Sequence, residues 1–239
     1  MLLSDRTLAR QAVAEFIGTG FLVAAVVGSG IAAQRLSPHD VGLQLLENTA
    51  ATAAALVAII FAVGPVSGAH LNPVVTLVDR AFGGLRTRAA VAYVLAQFAG
   101  GASGALVANT MFGLRAVTLS THHRAGGPHL FAEAVATFGL VLVVFGVVRA
   151  GQAAVAPFAV GAYIAAAYWF TSSTSFANPA VTVARMLSNT FAGIAPASAP
   201  GFVGLELVGG AAGAACVAIL YPRMRDDAGD VLLHHEEAA

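Results

Sequence analysis

Polar residues divide the chain into six long apolar runs, at about 8–33, 44–64, 89–112, 130–150, 153–171 and 201–221. Each is long enough to cross the hydrocarbon core of a bilayer as a helix. Two shorter helix-compatible segments, ending at Arg80 and Leu187, follow the second and fifth runs and cannot cross alone. Each begins with the same grammar, Asn72-Pro73-Val74 and Asn178-Pro179-Ala180. Asn can cap a helix, and Pro suits the first helical position because its missing N–H has no intrahelical partner there. The pattern predicts an all-α membrane protein with six spanning helices and two half-helices. Broken backbone at membrane depth is tolerated only where it is buried in protein or lines a wet cavity. Two such breaks point to a pore or a binding site.

The two halves read as copies. Ala14-Glu15 opens the first span and Ala132-Glu133 the fourth; Gln97 followed by Gly100 and Gly104 in the third matches Glu206 followed by Gly209 and Gly213 in the sixth. Three spans per half is an odd number, so the second copy sits upside down and the short helices meet at the midplane from opposite faces. The expected organisation is one channel-like domain over 1–222, with inverted halves at about 8–112 and 130–221, and a disordered tail over 223–239. Arg6, Arg10, Arg80, Arg86, Arg88, Arg149, Arg223 and Arg225 fall on the side of the termini, against Arg35, Arg115, Arg124 and Arg185 opposite. Positive-inside logic then places both termini in the cytoplasm.

Composition agrees: of 239 residues 58% are hydrophobic and 10% charged, which excludes an ordinary soluble domain. Net charge is zero and Lys is absent, so nothing points to nucleic acid. The single Cys216 excludes an intramolecular disulfide and reads as a small packing residue. Glycines at four-residue spacing read as close helix packing. The polar 113–128 loop, with adjacent His122 and His123, has too few ligands for a closed metal site and reads as solvated. No nucleophile–base pairing, metal cluster or phosphate loop is visible, so neither an enzyme nor a cofactor is expected. Opposed half-helices put two positive dipole ends at the centre, repelling cations, while two Asn amides offer donors to neutral solutes.

The segments Ser67-Gly68-Ala69-His70-Leu71-Asn72-Pro73 and Phe176-Ala177-Asn178-Pro179-Ala180-Val181-Thr182, with six spans in inverted halves, resemble the aquaporin, or major intrinsic protein, family. The resemblance implies the aquaporin-like fold of six transmembrane helices plus two re-entrant half-helices, a homotetramer with one pore per subunit, and passive flux in a bacterial inner membrane. It implies pore-lining positions at the midplane for Asn72, Asn178, Val74 and Ala180. Val74 stands where the family usually has Ala. Glu15, Glu133 and His70 are implied as structural support, the two acids by accepting hydrogen bonds from the half-helix loops. Glu206 is expected at a loop end or a subunit contact.

Family members resembling water or glycerol channels have Arg directly after the second motif; here that position is Val181. Counting without gaps, the other constriction positions are Thr52, Ala166 and Ser175. Such a set makes a wide, uncharged constriction, with Arg185 turned toward another loop. It resembles the bacterial subset of the family associated with arsenic handling, in which Thr and Val also occupy two filter positions. The implied substrate is arsenous acid or another neutral metalloid hydroxide. The alternatives are an orthodox water channel, a glycerol facilitator, a proton-coupled secondary transporter using the intramembrane acids, and a structural membrane protein with a vestigial pore.

Overall fold

The computed structural model describes residues 2–222, so the expected tail over 223–239 lies outside the described residues. The described chain forms α1 (Leu2–Leu36), α2 (Val41–Ser67), α3 (Pro73–Phe82), α4 (Thr87–Met111), α5 (Gly127–Arg149), α6 (Ala156–Phe170), α7 (Pro179–Arg185) and α8 (Ala199–Leu220). A single turn of tighter helix, Ala153–Val155, precedes α6, and with it the six predicted spans are long and apolar enough to cross a membrane. The short elements α3 and α7 sit where the two Asn-Pro motifs place them.

Helix α1 packs along α4 and α2, and its copy α5 packs along α8 and α6; α2 meets α6 where the halves join. Glycines set the first of these distances. A Cβ on Gly100 would strike the Phe16 carbonyl and one on Gly104 the Gly20 carbonyl; in the second half Gly209 faces the Ala134 carbonyl and Gly213 that of Phe138. Apolar lipid gives helices no hydrophobic reason to associate, so close backbone approach supplies the packing. The aligned glycines therefore hold α1 on α4 and α5 on α8 as tightly as backbones allow.

The half-helices lie between these walls. Val74 of α3 packs into the gap left by Gly210 of α8, and the Ala180 carbonyl of α7 lies over Gly101 of α4. Each half-helix is thus backed by a helix of the half that comes from the other side. The apolar core runs through both halves, from Val23 and Val27 of α1 to Val141 and Phe145 of α5.

Candidate functional site

Both loops that lead into the half-helices share one conformation, repeated 106 residues apart. Gly68 ends α2 in a left-handed turn (φ 83°), its N–H bonded to the Gly64 carbonyl at 2.8 Å. Ala69 and Leu71 then adopt φ 49° and 52°, as Ser175 and Ala177 adopt 47° and 48°. Each costs about 1–3 kcal/mol for a residue with a side chain, so something must hold it. Glu15 does so in the first half. Its Oε1 accepts from the Ser67 hydroxyl at 2.6 Å and the His70 amide at 2.9 Å, and its Oε2 from the Leu71 amide at 2.7 Å. Glu133 accepts from the Phe176 and Ala177 amides at 3.0 and 2.8 Å. Both acids are fully buried. His70 adds its imidazole Nδ1, 3.1 Å from Thr76 Oγ1, with its ring edge-on to Tyr93.

Each Asn side chain has two tasks. Asn72 Oδ1 accepts from the Val74 amide at 2.8 Å, and Asn178 Oδ1 from those of Ala180 and Val181 at 3.0 and 3.3 Å, closing the half-helix starts. Asn72 Nδ2 donates to the Ala177 carbonyl and Asn178 Nδ2 to the Leu71 carbonyl, both at 2.7 Å. An amide nitrogen has two hydrogens. One ties the halves together; the other is left for the cavity that both residues line.

That cavity runs between Leu22 and Val26 of α1, Leu56 and Ile60 of α2, Leu140 and Val144 of α5, and Val160 and Ile164 of α6, with loop residues 69–72 and 175–178 along one side. Thr52, Ser175 and Val181 line it, together with Asn72 and Asn178. Three expectations are corrected. Neither Val74, which packs back against Gly210, nor Ala180, whose carbonyl lies over Gly101, is on the cavity wall, where Val75 and Val181 stand instead. The reason is helical rotation: the residue two after the cap is turned off the wall, and the next one onto it. Ala166 is exposed and not on the wall; α6 presents Ala156, Val160, Ile164 and Tyr168 instead. Those positions repeat every four residues, a helical signal that a gap-free count back from Asn178 ignores. The Tyr168 hydroxyl lies 3.4 Å from Thr52 Oγ1.

The third correction concerns charge. Arg185 does reach the loop after α7, as expected, but it is also buried on the cavity wall, one helical turn beyond Val181, so the wall is not uncharged. Its Nε–H donates to the Ala192 carbonyl, and its guanidinium carbon lies 3.4 Å from the centre of the Phe176 ring. Arg124 approaches the same ring at 5.3 Å and donates to the Gly193 and Phe191 carbonyls at 2.8 and 2.9 Å. Asp79 stands in the first half where Arg185 stands in the second, with its Oδ2 3.7 Å from His70 Nε2. Glu206 is also placed: its Oε1 accepts from the Asn178 amide at 3.2 Å and the Thr182 hydroxyl at 2.5 Å.

The major intrinsic protein family matches residues 3–175, and the chain is 52% identical over 202 residues to aquaglyceroporin AqpS of Rhizobium meliloti, covering 84% of this chain and 86% of that one. The chain belongs to the major intrinsic protein family. Rice aquaporin NIP1-4 is 36% identical over 188 residues, 76% of this chain and 67% of its own length. In fold, the solved aquaglyceroporin of Plasmodium falciparum superposes with a TM-score of 0.67 over 94% of this chain and 99% of that one, at 18% identity. As a member of the major intrinsic protein family, the chain is an integral membrane channel for small solutes and not an enzyme. The family match ends three residues short of Asn178, so the second motif rests on its own geometry.

Proposed function

We propose that residues 1–222 form one passive channel domain for small uncharged hydroxylated solutes, with metalloid hydroxides such as arsenous acid as the favoured substrate and glycerol and water also carried. The observation that carries this reading is the make-up of the cavity wall: apolar side chains on most sides, with a line of hydrogen-bonding groups from Asn72 and Asn178 to Ser175, Thr52, Tyr168 and Arg185. A solute with several hydroxyls can slide its apolar side along the one and exchange hydrogen bonds along the other. An ion would exchange its hydration for too few ligands, against two half-helix N-termini that repel cations. Arg185 supplies the fixed positive charge and donors that Val181 lacks, and Tyr168 rather than Ala166 sets the width on the α6 side.

Thr52 and Val181 on the wall and the likeness to an aquaglyceroporin support solutes larger than water. The working form is a homotetramer in a bacterial inner membrane with both termini in the cytoplasm. The test is proteoliposome swelling with glycerol and urea beside uptake of arsenous acid and water. Rapid entry of arsenous acid and glycerol, unaffected by a pH gradient, is expected. Fast water flow without solute entry makes the protein a water channel, and flux driven by the pH gradient makes it a coupled transporter.

A further inference from the structure

Behind the second motif lies a pair of carboxyl groups with no counterpart in the first half. Around the first motif, Gln97 Nε2 donates to Glu15 Oε2 at 2.7 Å and to Thr76 Oγ1 at 2.9 Å. Around the second, Glu133, Glu206 and Thr182 stand where Glu15, Gln97 and Thr76 stand. The Gln97 amide supplies the hydrogens of its two bonds; an ionised Glu206 would supply none.

Glu133 and Glu206 are both fully buried behind the same loop, where they accept from successive backbone amides, Glu133 from Ala177 at 2.8 Å and Glu206 from Asn178 at 3.2 Å. Both oxygens of Glu133 accept backbone N–H groups, the environment of an ionised carboxylate. Glu206 differs. Its Oε1 takes the Thr182 hydroxyl and the Asn178 amide, and its Oε2 has no hydrogen-bond partner among the described residues. A buried carboxylate oxygen without a donor is expensive, and two ionised carboxylates near each other away from water are more so. The groups that act on the pair from neighbouring elements are Arg185 of α7 and Tyr163 of α6, with Arg124 and Ser173 from the loops. Arg185 is committed to Ala192 and the Phe176 ring rather than paired with either acid.

We propose that Glu133 and Glu206 share one proton, carried by Glu206, so that a carboxylic acid O–H does for the second motif what the Gln97 amide does for the first. The pair then holds one negative charge, on Glu133, where the two loop amides point. Glu206 is a positioning residue: through Glu133, Thr182 and the Asn178 amide it fixes the loop whose carbonyl at Ala177 anchors Asn72. The shared proton follows from the packing alone, and only its effect on flux rests on the reading of this loop as pore wall.

The experiment is infrared difference spectroscopy of the full chain in lipid at neutral pH, wild type minus Glu206→Gln. Loss of a protonated-carboxyl C=O band that shifts in heavy water is expected. Loss of a carboxylate band instead shows two ionised acids and overturns the proposal. Glycerol flux separates the second part: Glu206→Gln keeps the donor and is expected to retain flux, while Glu206→Leu loses most of it. Full flux through Glu206→Leu overturns the positioning role while leaving the spectrum to decide the proton. If the Leu variant does not assemble, the Gln spectrum still decides.

Discussion

The Arg185 guanidinium carbon lies over the Phe176 ring, 3.4 Å from its centre, with its Nε–H tied to the Ala192 carbonyl. Ring and carbonyl together fix a long, flexible cation at one place on the cavity wall. Such contacts are worth about 2 kcal/mol when desolvated, enough to decide the rotamer. Replacing Arg185 by Ala is therefore expected to raise entry of urea and glycerol relative to water and to admit a measurable cation current in planar bilayers. Unchanged solute ratios would remove Arg185 from the constriction.

Val181 lies one turn before that cation and faces the same cavity. Val181→Arg adds a second guanidinium there. It is expected to cut arsenous acid and glycerol flux strongly while leaving part of the water flow, as read by stopped-flow light scattering. Equal loss of all three solutes would mean that the variant blocks rather than filters.

Glu15 satisfies two backbone amides and one hydroxyl that have no water to turn to. Each buried donor left unpaired costs about 1–3 kcal/mol. Glu15→Ala is expected to abolish assembly or flux, with Glu15→Gln intermediate because one oxygen can still accept. Protein yield and melting in detergent, followed by flux, measure the order. An alanine variant as stable and active as wild type would show that the first loop holds its shape without this acid.

Gly100 and Gly204 make a paired test of packing. A Cβ at Gly100 meets the Phe16 carbonyl, which cannot move aside, whereas none of the described residues comes within 4 Å of a Cβ at Gly204. Overpacking against backbone costs about 1–3 kcal/mol, more than the roughly 1 kcal/mol that Ala gains over Gly in a helix. Gly100→Ala is expected to lower the melting temperature and Gly204→Ala to leave it equal or higher. The reverse order would refute the glycine-set spacing of α1 and α4.

In the loop between α4 and α5, partial burial and the neighbouring Arg124 hold the His122 imidazole below the ordinary histidine value. The unfolded chain then takes up this proton before the folded one does. Stability is expected to fall slightly as pH drops through the ordinary histidine range, near 6.5, and to level off below the folded value. An NMR titration of His122 with a midpoint above 6.5 would reverse the sign.

Run length and the repeated Asn-Pro starts made the six spans and two half-helices legible, because crossing a bilayer and capping a helix each demand a local pattern. The loop-holding role of Glu15 and Glu133 came from the resemblance and not from the local pattern, which left a proton-carrying role equally open; the amides of residues 70, 71, 176 and 177 that they accept from decide the placement. Which side of a helix faces the cavity was less so. Val74 and Ala180 sit in the motif yet lie off the cavity wall, and Ala166 was placed by counting across a loop whose length the sequence does not constrain. The period of four through Val160, Ile164 and Tyr168 carried the missing information. That Arg185 also lines the cavity was missed because its orientation depends on a ring from the loop before α7 and a carbonyl from the loop after it, and contacts of that kind leave no trace in local pattern.

The crossed bonds of Asn72 and Asn178 also bear on how the channel is made. Each donates to a carbonyl more than a hundred residues away, 105 in one case and 107 in the other. During synthesis α3 and its loop leave the ribosome long before α7 exists, with the free Asn72 donor and the open back of Val74 awaiting groups not yet translated. The first half can insert, but its centre stays unfinished until the second half folds against it. Damage to the loop before α7 will therefore surface first as a failure to assemble, in chains whose every spanning helix has already entered the bilayer.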